Sequence, residues 1–539
     1  MIQSNYIEFC LGGKKMKKKL VSVLLSTLMV VSLVVGCGSK EKTSDEGSSD
    51  AEEEKVFVVA LAGEPTTYNP DAIPDDFAHM VGKNLFNGLV TMNCDSEIVG
   101  DLAKDWEIDG LTYTFHLNEG VKWHDGEDFT SEDVKFTYEQ ILANEGYLAG
   151  DLSAVDTMEC PDENTIVITL KESKGSFLSS LAWYGNHILP KHLYEGVDDW
   201  STCEAATTNP VGTGPFKFVE AQSGVNVVLE KNEDYFAGAP SIDKVVYSVS
   251  ADPDSTYQAF KNGEINHITD VPTANVKELE EDENYSIGCL TEGRRYQMCF
   301  NMNGENTKDL AVRQAIAKAI NRDEISEKGT NGLQPAAYGF YPPFLDWAYN
   351  DKADIGEQDV DGAIKILEDA GYTKDSDGYY LHLNLEAFNY GNYGDCAKVV
   401  KSQLDAVGID VTIEELEEGA WAEKVTSGNY DLCILAGYQG PDPDNMTIRV
   451  GTGGGLNVSA YSNEKVDELL TEARGLTDQE ERGELYKEVQ SILAEDLPLV
   501  PLVEYAGYYA CPSNITGVPY VDEDGGKLIP FNFSTVEIN

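Results

Sequence analysis

The amino-acid sequence predicts an α/β protein with two or three lobes and a partly parallel sheet. Apolar residues at helical spacing over residues 399–407 end at Gly408, and residues 409–413 then alternate as in a strand. A helix that leads directly into a strand is typical of α/β lobes with parallel strands. The chain has 539 residues, which is more than one hydrophobic core normally accommodates.

The first part of the chain carries strand and turn signals. Residues 56–61 form a predicted buried strand, and residues 106–117 alternate around Asp109-Gly110 as in a β-hairpin. A second turn is expected over residues 123–130. Ser131 is the expected N-cap of a helix, because acidic residues follow it directly and apolar residues then recur at helical spacing.

The second half of the chain is rich in predicted helices. Apolar side chains line one helical face in each of four segments, which are residues 312–320, 363–370, 466–473 and 485–493. No sequence repeat with a period of ~20–50 residues is visible, which argues against a solenoid.

The amino-terminal segment resembles an export signal. Met16-Lys17-Lys18-Lys19 is basic, an apolar stretch follows over residues 20–35, and small residues precede Cys37. The apolar stretch is shorter than the ~20 residues that span a bilayer. Gly36-Cys37 resembles the lipobox of bacterial lipoproteins, which implies cleavage before Cys37 and acylation of its sulfur. Residues 1–36 are therefore expected to be an upstream segment and a signal peptide, with translation starting at Met16.

Residues 37–55 are expected to be a lipidated cysteine followed by a disordered tether. Residues 38–55 contain no large apolar side chain, so they cannot bury enough surface to offset the entropy cost of ordering. We therefore expect a domain that is lipid-anchored at the extracellular face of the cell membrane, or at the periplasmic side where two membranes are present.

Composition excludes several kinds of partner. The chain has 39 basic and 94 acidic residues and a net charge of −55. Nucleic acid is excluded, because phosphate binding needs clustered lysine and arginine. The cysteines after Cys37 form no CxxC pair, and the seven histidines show no metal-ligand spacing, so no cofactor and no metal site are expected.

Several motifs resemble one family in the correct order. They are LAKDWEIDGLTYTFHLNEGVKWHDGEDFTSEDVKFTY (102–138), NPVGTGPFKFVE (209–220), LEKNEDYFAGAPSIDKVVY (229–247), AVRQAIAKAINRDEI (311–325), PDPDN (441–445), YSNEKVDELLTEA (461–473) and LPLVPL (497–502). Together they resemble the peptide/nickel-type (family 5) extracellular solute-binding proteins of ABC importers. The resemblance covers residues 56–539 and implies a two-lobed periplasmic-binding-protein type II fold, with an extra α/β subdomain inserted in the first lobe.

The resemblance also implies domain boundaries. The first lobe is expected to comprise residues 56–95, 207–296 and 505–539. The inserted subdomain is expected over 96–206, and the opposing lobe over 297–504. Crossings of the chain near residues 295–300 and 501–508 are expected to form the hinge.

The family resemblance implies a receptor function. We expect capture of an oligopeptide by closure of two lobes, and delivery of that peptide to ABC permease subunits by a monomeric receptor. A receptor with the same mechanism for an oligosaccharide or a metal chelate is the alternative. A secreted hydrolase is a remote alternative.

Two segments are expected to meet the ligand from opposite lobes. The turn after the first strand supplies Glu64, Pro65, Thr66, Thr67 and Tyr68. The opposing lobe supplies Tyr438, Gln439, Gly440, Asp442, Asp444, Asn445 and Trp421. Turn chemistry alone also favours many of these residue types, so the segments are predicted more firmly than their individual members.

The sequence departs from the peptide-binding pattern at three points. Peptide receptors of this family hold the ligand α-ammonium with an Asp three residues before the Asp-Pro pair, where this chain has Gln439. The Arg that anchors a dipeptide carboxylate has no clear counterpart in residues 389–398. The family's site Trp is expected near Glu417-Glu418, a few residues before Trp421. These departures weaken the inference to a short zwitterionic peptide and leave the receptor function intact.

The apparent catalytic motifs are better explained as structure. Trp123-His124-Asp125-Gly126 places a base beside a carboxylate, but no nucleophile is identifiable and an Asp-Gly turn accounts for the pattern. The glycine-rich residues 451–455 lack a following Gly-Lys-Ser/Thr, which favours a loop at the cleft rim over a phosphate site. No GxSxG elbow occurs in the chain, so no enzyme activity is expected.

Overall fold

The computed structural model describes residues 54–69, 71–72, 75–93, 97–183, 186–290, 293–519 and 532–539. The predicted signal peptide, the lipidated Cys37 and most of the predicted tether lie outside the described residues. Within the described part of the chain, no helix is both long enough and apolar enough to cross a membrane.

The strands in chain order are β1 (Val56–Leu61), β2 (Val90–Met92), β3 (Ile98–Gly100), β4 (Ala103–Asp109), β5 (Thr112–Leu117), β6 (Val155–Asp162), β7 (Thr165–Leu170), β8 (Phe216–Gln222), β9 (Asn226–Lys231), β10 (Lys244–Val249), β11 (Tyr285–Leu290), β12 (Arg294–Phe300), β13 (Leu381–Phe388), β14 (Ile409–Leu416), β15 (Leu432–Tyr438), β16 (Leu499–Glu504), β17 (Gly507–Pro512), β18 (Ile515–Thr516) and β19 (Glu537–Ile538).

The helices in chain order are α1 (Asp76–Leu85), α2 (Ser131–Ala143), α3 (Ala149–Leu152), α4 (Phe177–Leu181), α5 (Lys191–Tyr194), α6 (Glu204–Thr207), α7 (Pro253–Lys261), α8 (Val276–Glu280), α9 (Leu310–Ala319), α10 (Arg322–Gly329), α11 (Val360–Asp369), α12 (Tyr393–Ala406), α13 (Glu418–Thr426), α14 (Thr447–Val450), α15 (Glu464–Gly475) and α16 (Gln479–Asp496). Short 3-10 helices lie at Thr273–Asn275 and Pro443–Met446.

Three sheets of four or five strands organise the described elements, and three further sheets have two strands each. One has the order β1-β10-β9-β8, the second β4-β5-β7-β6, and the third, with five strands, β14-β13-β15-β12-β16. In the third sheet β13 runs parallel to both β14 and β15, whereas β12 is antiparallel to β15 and β16. The predicted α/β class with a partly parallel sheet is therefore confirmed.

Two large hydrophobic cores divide the chain. One contains residues 57–247 and 511–536, and the other contains residues 296–503. The chain crosses between the cores twice, from β11 to β12 and from β16 to β17. Strand β11 pairs with β17 on one side of the crossings, and β12 pairs with β16 on the other side. The chain therefore passes between the two cores after Leu290 and again after Glu504.

Local predictions held except for one helix cap. The hairpin forms around Asp109-Gly110, with β4 and β5 antiparallel and Gly110 at φ 62°. The helix after the second turn begins at Ser131, but its N-cap is Thr130, whose backbone N–H donates to the Asp133 carboxylate. Ser131 was predicted wrongly as the cap because its hydroxyl instead donates to the carbonyl of Asp162, which is distant in the sequence.

Candidate functional site

One edge of the five-stranded sheet gathers several of the predicted residues. Strands β13 and β14 end there, at Phe388 and Leu416, and β15 ends there at Tyr438, opposite the first residue of β12. In α/β sheets ligands bind outside the carboxyl ends of the parallel strands. We call this edge of the sheet the strand-end edge.

Gln439 lies at the strand-end edge, directly after β15. Its backbone N–H donates to the carbonyl of Gly293, and its Nε2 donates to the carbonyl of Gly437 at 2.7 Å. The side chain is fully buried, yet Oε1 has no hydrogen-bond partner among the described residues. Because buried polar groups are normally hydrogen-bonded, Oε1 is an acceptor suited to a ligand N–H.

Five aromatic side chains cover the same edge, and we call them the aromatic shelf: Tyr296, Phe388, Tyr390, Tyr393 and Trp421. The ring centroids of Phe388 and Trp421 are 4.5 Å apart, and those of Tyr296 and Tyr393 are 4.2 Å apart with nearly parallel planes. Tyr390 contacts both Phe388 and Tyr393 and is 51% exposed. The shelf therefore presents one accessible ring supported by buried ones.

Trp421, predicted as a site residue, also holds an unpartnered polar atom. Its side chain is only 8% exposed, and Nε1 has no hydrogen-bond partner in the described part of the chain. It enters the edge from α13, which follows β14. The strand-end edge therefore combines a buried donor on Trp421 with the buried acceptor on Gln439.

Asp442 is tied to protein partners rather than open to a ligand. Its two carboxylate oxygens accept from Nη2 and Nη1 of Arg482 at 2.6 and 3.0 Å, and Oδ2 also accepts from the Ser179 hydroxyl at 3.2 Å. Arg482 additionally donates to the Gly175 carbonyl and lies against the Trp347 and Tyr486 rings. We call Gly175, Ser179, Asp442 and Arg482 the corner network.

The corner network connects the two cores. Phe177 and Leu181, on either side of Ser179, belong to the first core, whereas Tyr486, one turn after Arg482, belongs to the second. The Gly175 N–H also donates to the carbonyl of Arg474 at 2.9 Å. The hydrogen bonds of Gly175 and Ser179 therefore join the two cores, and the buried, bidentate Arg482–Asp442 ion pair orients their partners.

The residues next to Asp442 in the chain also contact other protein groups. Asp444 accepts from the Arg474 guanidinium and from the Thr447 hydroxyl. Gly440 has φ 88°, and the Asn445 side chain lies against it so closely that a Cβ at this position would overlap it. This left-handed backbone and this contact both favour glycine at position 440.

The predicted turn after β1 is braced within its own core. Glu64 accepts from the Ser223 hydroxyl and the Gly224 N–H, and Thr66 donates twice to Asp75, the N-cap of α1. Thr67 is buried, and its hydroxyl donates to the carbonyls of Ser201 and Ala206. Glu64 and Thr66 remain exposed and Pro65 half-buried, so these residues can still face a ligand.

Tyr68 closes this turn. Its ring is buried, with its centroid 5.2 Å from that of Phe218. Burial, and then the charge of Glu64, raise the pKa of Tyr68 to about 12. Tyr68 therefore stays neutral and anchors the turn to the β8 strand.

The His124-Asp125 motif is structural, as predicted. His124 Nδ1 accepts from the Gly212 N–H, which leaves Nε2 to donate to the Gly214 carbonyl at 3.0 Å. Burial lowers the pKa of His124 to about 4, so the ring is neutral near pH 7. Both ring nitrogens are thus used to hold residues 212–214 against the turn.

Sequence reasoning missed the partners that shape the site. Arg482 and Ser179 gave no signal, because their contact with Asp442 spans 40 and 263 residues respectively. Of the aromatic shelf, only Trp421 was predicted. The ends of β13 and β12 could have indicated Phe388 and Tyr296, since side chains at strand carboxyl ends and their antiparallel neighbours share one edge.

Comparison with known proteins agrees with this architecture. The oligopeptide-binding protein AppA of Bacillus subtilis strain 168 is 29% identical over 529 residues, which cover 94% of this chain and 97% of AppA. The structure of Bacillus subtilis AppA in complex with a nonapeptide matches with a TM-score of 0.71 at 27% identity, covering 90% of this chain and 99% of that chain.

Two further solved structures have the same fold. The ABC transporter substrate-binding protein CtaP of Listeria monocytogenes matches with a TM-score of 0.81 at 25% identity, covering 90% of this chain and all of CtaP. NikZ of Campylobacter jejuni, in complex with Ni(L-His), matches with a TM-score of 0.75 at 26% identity over the same fractions. The predicted two-lobed type II periplasmic-binding-protein fold, with its extra α/β subdomain, is confirmed.

The family assignment rests on a long match. The family described as bacterial extracellular solute-binding proteins, family 5 Middle, matches residues 97–457. This range includes the β4–β5 hairpin, the whole aromatic shelf, and Gly175, Ser179 and Asp442 of the corner network. The chain belongs to the bacterial extracellular solute-binding proteins of family 5.

Proposed function

We propose that this protein is the substrate-binding component of an ABC importer, and that it captures an oligopeptide at the strand-end edge. The observation that carries the proposal is the pair of buried, unpartnered polar atoms there, Trp421 Nε1 and Gln439 Oε1. A peptide backbone supplies a carbonyl for the first and an N–H for the second. The peptide bound in the AppA structure supports the same ligand class.

Capture proceeds by closure about the two crossings between the cores. The first lobe comprises residues 56–95, 207–296 and 505–539, the inserted subdomain 96–206, and the opposing lobe 297–504. The pairing of β11 with β17 and of β12 with β16 supports a hinge in the short connections between them. A ligand favours the closed form by the difference between its affinities for the two forms.

The predicted Glu64–Tyr68 turn completes the site from the first lobe. Its exposed residues follow β1, and its buried residues fix it to the surrounding core. Tyr438 and Gly440 flank Gln439 in the chain and belong to the opposing side of the proposed site. Asp442, Asp444 and Asn445 act indirectly in this account, by holding the corner beside the ligand.

The proposed location of the protein is the outer face of the cell membrane, to which a lipid on Cys37 anchors it. The basic start, the apolar stretch and the Gly36-Cys37 pair support it. Metabolic labelling with a palmitate analogue should label the wild type and not Cys37→Ser. Equal labelling of the two proteins would contradict the anchor.

An oligosaccharide is the second candidate ligand, because the exposed Tyr390 ring and the neutral Gln439 amide also suit a sugar. A metal chelate is supported only by the NikZ likeness. No group of three or more His, Cys, Asp or Glu side chains in the described residues could hold a metal ion. No catalytic function is proposed, since the relatives compared are binding proteins.

A thermal-shift screen of residues 38–539 against peptide, oligosaccharide and nickel–histidine pools tests the proposal. Ligand at a hundredfold excess over Kd stabilises the native state by about 2.7 kcal/mol, which is a measurable shift. A shift with peptides supports the proposal. A shift with sugars or chelates alone replaces the ligand class.

A further inference from the structure

Two buried charges at the strand-end edge, Arg295 and Asp442, already have protein partners. Arg295, fully buried at the start of β12, pairs with Glu504 at the end of β16 and donates to the carbonyl of Gly339. Asp442 pairs with Arg482, and the residue directly after β15 is the neutral Gln439. These charges serve the protein itself.

An accessible aromatic ring lies at the same edge. Tyr390 is 51% exposed, and its ring is held in place by Phe388 and Tyr393. Behind them, Phe388 packs on the buried Trp421. Aromatic rings supported in this way offer a large apolar contact at a small cost in side-chain entropy.

The two buried ion pairs offer a charged ligand terminus no free partner. Burying an ammonium or a carboxylate is costly unless an opposite charge meets it. Asp442 and Arg295 could supply such a charge only by breaking their own buried ion pairs. An uncharged peptide group, by contrast, matches the Gln439 acceptor and the Trp421 donor.

We propose that this site binds an internal segment of an oligopeptide, through its uncharged backbone and one aromatic or large aliphatic side chain on the aromatic shelf, and not through the charged peptide termini. The inference rests on the proposed function and specifies its ligand class. The ligands are longer or terminally blocked peptides with apolar residues, and short zwitterionic peptides are poor ligands.

Calorimetric titration with three forms of one Phe-containing nonapeptide tests this. The forms are the free peptide, the N-acetylated and C-amidated peptide, and the blocked peptide with Phe replaced by Ser. The blocked form should bind within about threefold of the free form, because no charged contact is lost. The Ser form should bind about tenfold or more weakly, since an aromatic contact is lost.

The Tyr390→Ala variant tests whether the Phe side chain of the peptide binds on the aromatic shelf. It should weaken the blocked Phe peptide about tenfold and change the Ser peptide little. Tyr147→Ala is the matched control, because Tyr147 is 40% exposed and lies away from the shelf in the sequence and outside its core cluster. It should leave all three affinities unchanged.

The outcomes separate this inference from the proposed function. Binding of the free peptide with loss of about thirtyfold or more on blocking would overturn the inference and leave peptide capture intact. Equal affinities of wild type and Tyr390→Ala for the Phe peptide would also overturn it. Binding of no peptide form, with a thermal shift from sugars or chelates, would overturn the proposed function itself.

Discussion

His267 shows how a single buried residue couples the fold to pH. Its ring is 2% exposed, stacks near Phe57 and Tyr509, and has Nδ1 3.3 Å from the Ala510 carbonyl. Burial lowers the pKa of His267 from 6.5 to about 4. The unfolded chain therefore binds a proton that the folded chain resists between these two pH values.

Replacing His267 with Gln should flatten the pH dependence of stability. The wild-type free energy of unfolding should fall by about 2–3 kcal/mol more than that of His267→Gln between pH 7 and pH 4.5. Asp101, whose pKa burial raises to about 7, titrates in the opposite sense in both proteins, so the difference isolates His267. Urea denaturation at both pH values measures it, and parallel pH profiles would contradict it.

We propose that Gln439 sets the charge preference of the site. Gln439→Asp should convert the buried acceptor into a partner for an ammonium, which a charge-assisted hydrogen bond favours. The ratio of affinities for free over N-acetylated peptide should rise about tenfold relative to wild type. Calorimetry with both peptides measures the ratio, and an unchanged ratio would show that Gln439 does not face the ligand.

At the scale of elements, the corner network holds α16 against the segment that precedes α4, because Arg482 donates to the Gly175 carbonyl. Arg482 and Asp442 are both nearly fully buried, so each leaves an uncompensated charge when the other is removed. Arg474 and Asp444 form a parallel pair nearby, but the Arg474 side chain is 45% exposed. Water therefore screens the second pair and not the first.

Arg482→Leu should accordingly cost about 3–5 kcal/mol of unfolding free energy, and Arg482→Leu with Asp442→Leu should recover part of this loss. Arg474→Leu is the matched control and should cost about 1 kcal/mol or less. Chemical denaturation of the four proteins provides the values. Equal costs for the two single arginine variants would contradict the account of the corner.

The sequence predicted elements better than it predicted contacts between them. The β4–β5 hairpin and the helices α9, α11, α15 and α16 follow from local periodicity, which records which face of each element is buried. The Thr130 cap was missed because Ser131 bonds to a distant carbonyl. Arg482 and Tyr390 were missed for the same reason, because their contacts depend on which loops the order of strands in the sheet brings together.

At the scale of the whole molecule, the two cores and their paired crossings suit closure around a ligand. The connections between β11 and β12 and between β16 and β17 are short, so few backbone angles need to change for the lobes to rotate. The corner network lies between the cores, which it joins through the Ser179–Asp442 and Gly175–Arg482 hydrogen bonds. The residues of the corner network are far apart in the sequence, so the periodicity of single helices and strands could not predict their contacts.

Small-angle X-ray scattering of residues 38–539, with and without a saturating nonapeptide, tests capture by closure most directly. Closure of the lobes should give a smaller radius of gyration with the peptide, and no such change with a peptide that calorimetry shows not to bind. A radius of gyration that stays the same at saturation would contradict closure as the mechanism of capture.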